Sequence, residues 1–140
     1  MKIREFQPED INKGLLETYQ QVWSIDEITL GTIEEWSNNN NYMFVIEKDD
    51  IVIGSATLHI QKKIIRNGGL AGFIEDVVVR DEYRGKNLGS QLIQQLIFKA
   101  KQLGCYKVVL SCFPERINFY ERNGFYNESV VMRLENKFLK

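Results

Sequence analysis

The apolar positions along the chain change period several times, and each change predicts an element. Residues 2–6, "KIREF", alternate as a short edge strand. At Gln7-Pro8-Glu9-Asp10 the spacing becomes helical, with proline and acids where a first turn takes them. Ile11, Leu15, Leu16, Tyr19, Val22 and Trp23 then form one stripe. After a loop over 24–31, Thr32 with Glu35 reads as the capping box of a second, short helix carrying Ile33 and Trp36. Polar residues 38–41 end it. Residues 42–48 and 51–61 read as strands joined across Asp49-Asp50, with Gly54 marking a bulge or a close backbone approach. A basic connection, 62–69, carries the Asn67-Gly68 turn signal.

The stretch 70–104 organises the rest of the chain. Residues 74–79 hold a β-branched run broken only by Glu75 and Asp76, as expected of a strand buried on both faces. The loop Arg84-Gly85-Lys86-Asn87-Leu88-Gly89 follows. Leu88, Leu92, Leu96, Ala100 and Leu103 then recur at helical spacing until Gly104 closes the helix. Residues 106–111 predict another buried strand, 114–123 a short helix stopped by Gly124, and 130–134 a last strand. The order β-α-α-β-β-β-α-β-α-β shows no repeat and no boundary. It implies one α/β domain over 1–140, whose long helix makes a right-handed crossover between parallel neighbours.

The junction before that helix suits an anion. Backbone N–H groups at a helix N-terminus lack intrahelical partners, and the dipole favours negative charge there. Gly85 and Gly89 let a ligand approach, while Arg84 and Lys86 add positive charge. An ordinary strand-to-helix turn has the same ingredients. The residues fit neither a P-loop, which needs Lys-Ser or Lys-Thr after its last glycine, nor a G-x-G-x-x-G fingerprint.

Composition narrows the chemistry. The 140 residues suffice for one real core, and 44% hydrophobic with 26% charged residues is ordinary for a globular protein. A net charge of −1 gives no global field for nucleic acid, so an anion site must be local. No apolar run approaches the roughly 20 residues that span a bilayer. The first residues lack a signal peptide's apolar region, so a cytoplasmic location without a membrane partner is expected. Cys105 and Cys112 read as reduced packed residues, too few for a zinc site, and no metal is expected. His59, the only histidine, falls inside a strand pattern. The chemistry therefore falls to carboxylates, tyrosine, backbone groups or water. Glu75 and Asp76 stand out, because buried carboxylates are costly unless paired. They are either salt-bridged structural acids or ligands of a polar, hydroxyl-rich or amine-bearing molecule.

The loop resembles the [R/Q]-x-x-[G/A]-x-[G/A] pyrophosphate loop of the GNAT N-acetyltransferase superfamily. Arg84 and Gly89 match it, and Asn87, which tolerates left-handed φ, stands for a Gly or Ala. "INFYERNGF" resembles the family's F/L-Y-x-x-x-G-F, through Phe119, Tyr120, Gly124 and Phe125. The resemblance implies a mixed, mostly antiparallel sheet with flanking helices, whose central parallel pair splays around acetyl-CoA. It implies cofactor contacts from Val77, Val78 and Val79, from the loop residues Arg84 to Gly89 with Ser90, and from Ser111. A backbone N–H among Asp76, Val77 and Val78 would face the thioester oxyanion, and Tyr120 would protonate the leaving thiolate. Tyr120 also reads as a helix aromatic packed in the core.

Over residues 62–126 the chain closely resembles the glucosamine 6-phosphate N-acetyltransferases of that superfamily. This implies that Lys63, Arg66, Tyr106 and Lys107 hold the sugar phosphate, with Glu75 and a catalytic Asp76 on the sugar. It also implies a homodimer acting on a phosphosugar amine. Phe73 stands for a usual His, Ser111 for an acid, Arg116 for an Asn, and Glu135 for a phosphate-binding Arg that Arg133 would replace. The rival expectations are a GNAT enzyme for another small amine or a protein N-terminus, and a non-catalytic CoA-binding module.

Overall fold

Two left-handed aspartates start the sheet. In the computed structural model, which describes residues 1–138, Asp49 (φ 50) and Asp50 (φ 66) form the tight turn between β2 (Asn41–Lys48) and β3 (Ile51–Lys62). Positive φ at both central residues matches the twist of a hairpin. Arg66 (φ 57) and Asn67 (φ 55) do similar work in the turn leading to β4 (Leu70–Val79). With β1 (Lys2–Glu5) and β5 (Cys105–Leu110), these form one five-stranded sheet in the order β1-β2-β3-β4-β5. Every pairing is antiparallel except β4 with β5, which is parallel. Gly54 is the expected close approach, since a Cβ there would lie 2.7 Å from Ile46 Cδ1 and 3.1 Å from the Val78 carbonyl oxygen. The register slips beside it, between Ile46 and Glu47.

The described residues divide into two compact units, 1–110 and the residues from 111 onward. In the first, α1 (Leu15–Gln20) and α2 (Leu30–Ser37) cover one sheet face, where Leu15, Met43, Val45 and Val52 cluster. The other face takes α3 (Leu88–Gln102), which buries Leu88, Leu92, Ile93, Leu96 and Ala100. Gly104 (φ 84) follows its end as expected.

Four expectations need correction. The first helix is broken: Pro8–Asn12 is a 3-10 turn, and α1 starts only after Gly14 (φ 95). The break holds Arg80, whose Nη2 donates to the Gly14 carbonyl at 2.9 Å and whose Nε donates to Thr18 Oγ1 at 2.8 Å. A Cβ on Gly14 would meet that Nη2 at 2.6 Å. The cap of α2 is Thr29, not Thr32: its hydroxyl accepts from the Thr32 N–H at 3.1 Å. Glu75 and Asp76 are exposed, so β4 is not buried on both faces throughout.

The fourth lies in the second unit. It holds a 3-10 turn (Pro114–Arg116), then α4 (Ile117–Arg122) ending before Gly124 (φ 99). Residues 130–134 form no strand, and Val130, Val131, Met132 and Leu134 are exposed. The β-branched pattern is present, but a strand needs a partner ladder.

Candidate active site

The two parallel strands part company half-way. β5 accompanies β4 from the Leu70↔Cys105 pair to Ile74↔Leu110 and stops. β4 continues to Val79 with only β3 beside it, through Val78↔Ser55 and Val79↔Gly54. The edge over 75–79 that faced β5 thus leaves N–H and C=O groups without a strand partner. Such an edge accepts an extended chain of amides as another strand would. Val77, Val78 and Val79 lie on it.

At Asp76 the strand bulges: φ is 53, and the register shifts opposite Ser55 and Thr57. The bulge breaks the alternation that puts Glu75 and Asp76 on opposite faces. Among the described residues neither acid forms an ion pair, which removes the structural salt-bridge alternative. Although Asp76 is exposed as a residue, desolvation of its carboxyl raises its pKa above the ordinary value. The carboxyl opens on a cleft of about 330 Å³ lined also by Tyr19, Trp23, Ser24 and Ile25.

The loop after β4 is braced from inside. Arg84 Nε donates to the Val79 carbonyl at 3.0 Å, and its Nη1 pairs with Asp81 at 3.0 Å. Gly85 (φ 79) and Asn87 (φ 64) are left-handed, so Asn87 fills its position by the conformation its side chain tolerates. Asn87 caps α3, and Leu88, Gly89 and Ser90 form its first turn, the end of a helix whose dipole suits an anion. Leu88 is buried and offers only its backbone. Lys86, Asn87, Leu88 and Ser90 also border a groove of about 750 Å³ running past Gln91, Gln94 and Gln95.

The remaining cations gather elsewhere. Lys63 and Arg66 lie in the β3–β4 connection, and Arg66 stacks on Tyr106 with its guanidinium 5.0 Å from the ring centre. Lys107 Nζ stands 5.6 Å from the same centre, and the Tyr106 hydroxyl is buried without a partner. Lys107 pairs in register with Ala71, near the start of β4. Asp76 is five positions further on, roughly 16 Å at strand rise. Along the backbone these cations therefore stand at the opposite end of β4 from Asp76.

In the second unit, Tyr120 stands edge-on to Phe119 (4.9 Å between centroids) and Phe125 (6.0 Å). Burial raises the Tyr120 pKa, Cys112 raises it further, and Arg116 lowers it. The net rise keeps the hydroxyl protonated near neutrality, the state a proton donor needs. Ser111 is exposed just past the end of β5. Arg133 Nε binds Glu135 at 2.8 Å, so the residue that replaces the usual arginine neutralises the one that would stand in for it.

The family model of the acetyltransferase (GNAT) family matches residues 9–125. The chain belongs to this family. Glucosamine 6-phosphate N-acetyltransferase 1 of Dictyostelium discoideum is 34% identical over 141 residues, covering 96% of this chain and 90% of its own. Its Arabidopsis thaliana counterpart is 35% identical, covering 94% and 93%. The crystal structure of the Arabidopsis thaliana enzyme superposes with a TM-score of 0.91, covering 96% of this chain and 97% of that one.

Among the GNAT features, the mixed sheet with its parting β4–β5 pair agrees with the sequence expectation. His59 is held in the sheet: its Nδ1 lies 2.9 Å from Asn41 Oδ1, and its ring leans on Phe73 across the β3–β4 pairing. Phe73 thus packs a structural histidine. Both cysteines are free, and Cys112 is exposed. Sequence reasoning missed Tyr19, Trp23 and Arg80. The first two read as core stripe and the third carried no reading, and only the folded packing of α1 against β4 distinguishes them.

Proposed function

We propose that this GNAT protein transfers the acetyl group of acetyl-CoA to the amine of glucosamine 6-phosphate. The observation that carries the reading is the unpaired edge of β4 beside Asp76. An extended thiol-bearing chain fits along Val77, Val78 and Val79, and an amine fits against the adjacent carboxylate. Arg84, Gly85, Lys86, Asn87, Leu88, Gly89 and Ser90 would hold the pyrophosphate, with Ser111 near the thioester end. A backbone N–H in the Asp76–Val78 stretch would stabilise the developing oxyanion. Asp76, with its raised pKa, would take the proton of the ammonium, and Tyr120 would return one to the thiolate. The amine attacks directly. Exposed Cys112 has no histidine to activate it, since His59 is engaged with Asn41.

The acceptor rests on the named relatives and on the cation cluster. Because Lys63, Arg66, Tyr106 and Lys107 lie at the far end of β4 from Asp76, we infer a homodimer in which they serve the partner's sugar phosphate while Glu75 and Asp76 serve their own chain's sugar. The exposed apolar residues at 130–134 supply surface for such an assembly. The matched span crosses the boundary between the two units, which supports one acetyltransferase domain. No helix among the described residues is long and apolar enough to cross a membrane. Free cysteines suit a cytoplasmic setting.

Thiol release from acetyl-CoA with glucosamine 6-phosphate, glucosamine and spermidine side by side tests the reading. Two charge-assisted hydrogen bonds to phosphate, each roughly 1.5–3 kcal/mol before desolvation, set the scale. Glucosamine should react at least about a hundredfold worse in kcat/KM, about 2.7 kcal/mol. Equal rates for the two sugars would discard the phosphosugar. Binding of acetyl-CoA without turnover of any amine would leave a CoA-binding module.

A further inference from the structure

The cleft in front of Asp76 is lined largely by residues that the proposed reaction leaves unused. Trp23 follows α1, half-buried, and meets Tyr19 edge-on at 5.3 Å between centroids and 74° between planes. These rings, with Ser24 and Ile25, wall the cleft on the α1 side, and Asp76 closes it on the β4 side.

Two observations point to a ligand. A left-handed φ on a non-glycine residue inside a strand is costly, and here it sets a carboxylate at the cleft with no cation paired to it among the described residues. The cleft thus pairs an apolar aromatic wall with a negative floor. Its volume of about 330 Å³ stands at the low end of small-molecule sites, which run from roughly 300 to 1,000 Å³. That suits one ring.

We propose that this cleft seats the amine-bearing ring of the acceptor, with Trp23 as the wall that selects a cyclic amine. The inference rests on the amino-sugar reading and adds to it a binding residue on α1. The ammonium meets Asp76, while the apolar face of the ring lies against the indole. The aromatic quadrupole adds attraction for the positive end.

The test is steady-state kinetics of Trp23→Ala and Trp23→Phe on the full chain. Trp23→Ala should raise KM for glucosamine 6-phosphate at least tenfold and leave KM for acetyl-CoA unchanged. Trp23→Phe should hold the acceptor KM within about threefold of wild type. Because Trp36 is the only other tryptophan, a Trp36→Phe protein reports on Trp23 directly, and glucosamine 6-phosphate should change its fluorescence saturably. This second readout serves if Trp23→Ala does not fold. An unchanged acceptor KM in Trp23→Ala, or no fluorescence response in an active Trp36→Phe protein, overturns the cleft and leaves the proposed reaction standing. A wild-type protein that binds acetyl-CoA and acetylates no amino sugar overturns both.

Discussion

Asp76 carries two burdens that a serviceable strand residue would not. Its φ of 53 is strained, and desolvation raises its pKa. A carboxyl whose folded pKa exceeds its unfolded one costs no stability while protonated, and the cost appears as pH rises through the folded value. Asp76→Asn keeps the tolerated left-handed geometry and removes the charge. We therefore expect Asp76→Asn to raise the melting temperature at pH 7.5, by a margin that narrows toward pH 4, and to lower kcat at least about tenfold. Calorimetry across pH with parallel assays checks both, and a mutant that loses stability as well as activity would make Asp76 a structural residue. Tyr120→Phe should lower kcat roughly tenfold with acetyl-CoA affinity intact. Wild-type turnover there would reduce Tyr120 to packing between Phe119 and Phe125. The sequence disclosed the left-handed Asn87 and Asp76 unequally. The left-handed Asn87 was legible because asparagine tolerates that φ by its own chemistry. The bulge at Asp76 was not, because it arises from a register shift against β3 that no local pattern records.

Elements were legible where their own period sufficed. The stripe of α3 and the five paired strands follow from spacing. The break at Gly14 follows instead from Arg80, 66 positions away in sequence, and the unformed strand at 130–134 waits on a ladder. The N-terminus of α3 offers a clean test of its anion role. An acid in a first helical turn favours the helix, so Gly89→Asp should fold, yet like charge opposes a pyrophosphate. Calorimetry should show acetyl-CoA affinity falling at least tenfold; full affinity in the folded mutant would remove the loop from the site. The packing of β1 depends on a different charge. Arg4 donates to Asp10 at 2.8 and 2.9 Å and to Glu47 at 2.6 and 2.9 Å, and the Asp10 side chain is wholly buried. Burial pushes the Asp10 pKa up, but the Arg4 bond, the Gln7 N–H and nearby charge outweigh it and hold it below the ordinary value. Its contribution is present above the unfolded pKa and fades as pH falls through the lower folded one. Removing one partner leaves a buried charge uncompensated, so Arg4→Ala should cost about 3 kcal/mol in denaturant unfolding at pH 7.

At the scale of the molecule, the question is how one substrate reaches groups at both ends of β4. The family resemblance implied one site for Lys63, Arg66, Tyr106, Lys107, Glu75 and Asp76, and it carried no strand register. Five strand positions separate Lys107's partner Ala71 from Asp76, roughly 16 Å of backbone at strand rise. A twofold dimer resolves this if each chain lends its cations to the other, since such an interface repeats the same contacts twice. Complementation separates the two arrangements. Asp76→Asn and Lys107→Ala chains should each be nearly inactive toward glucosamine 6-phosphate. When they are co-expressed and pair at random, half of the dimers are mixed, and in each mixed dimer one site carries both lesions and the other neither. Roughly a quarter of the wild-type activity should then return, as the symmetry of a closed pair requires. If Lys107 serves the site of its own chain, every site in every pairing keeps one lesion, and co-expression restores nothing.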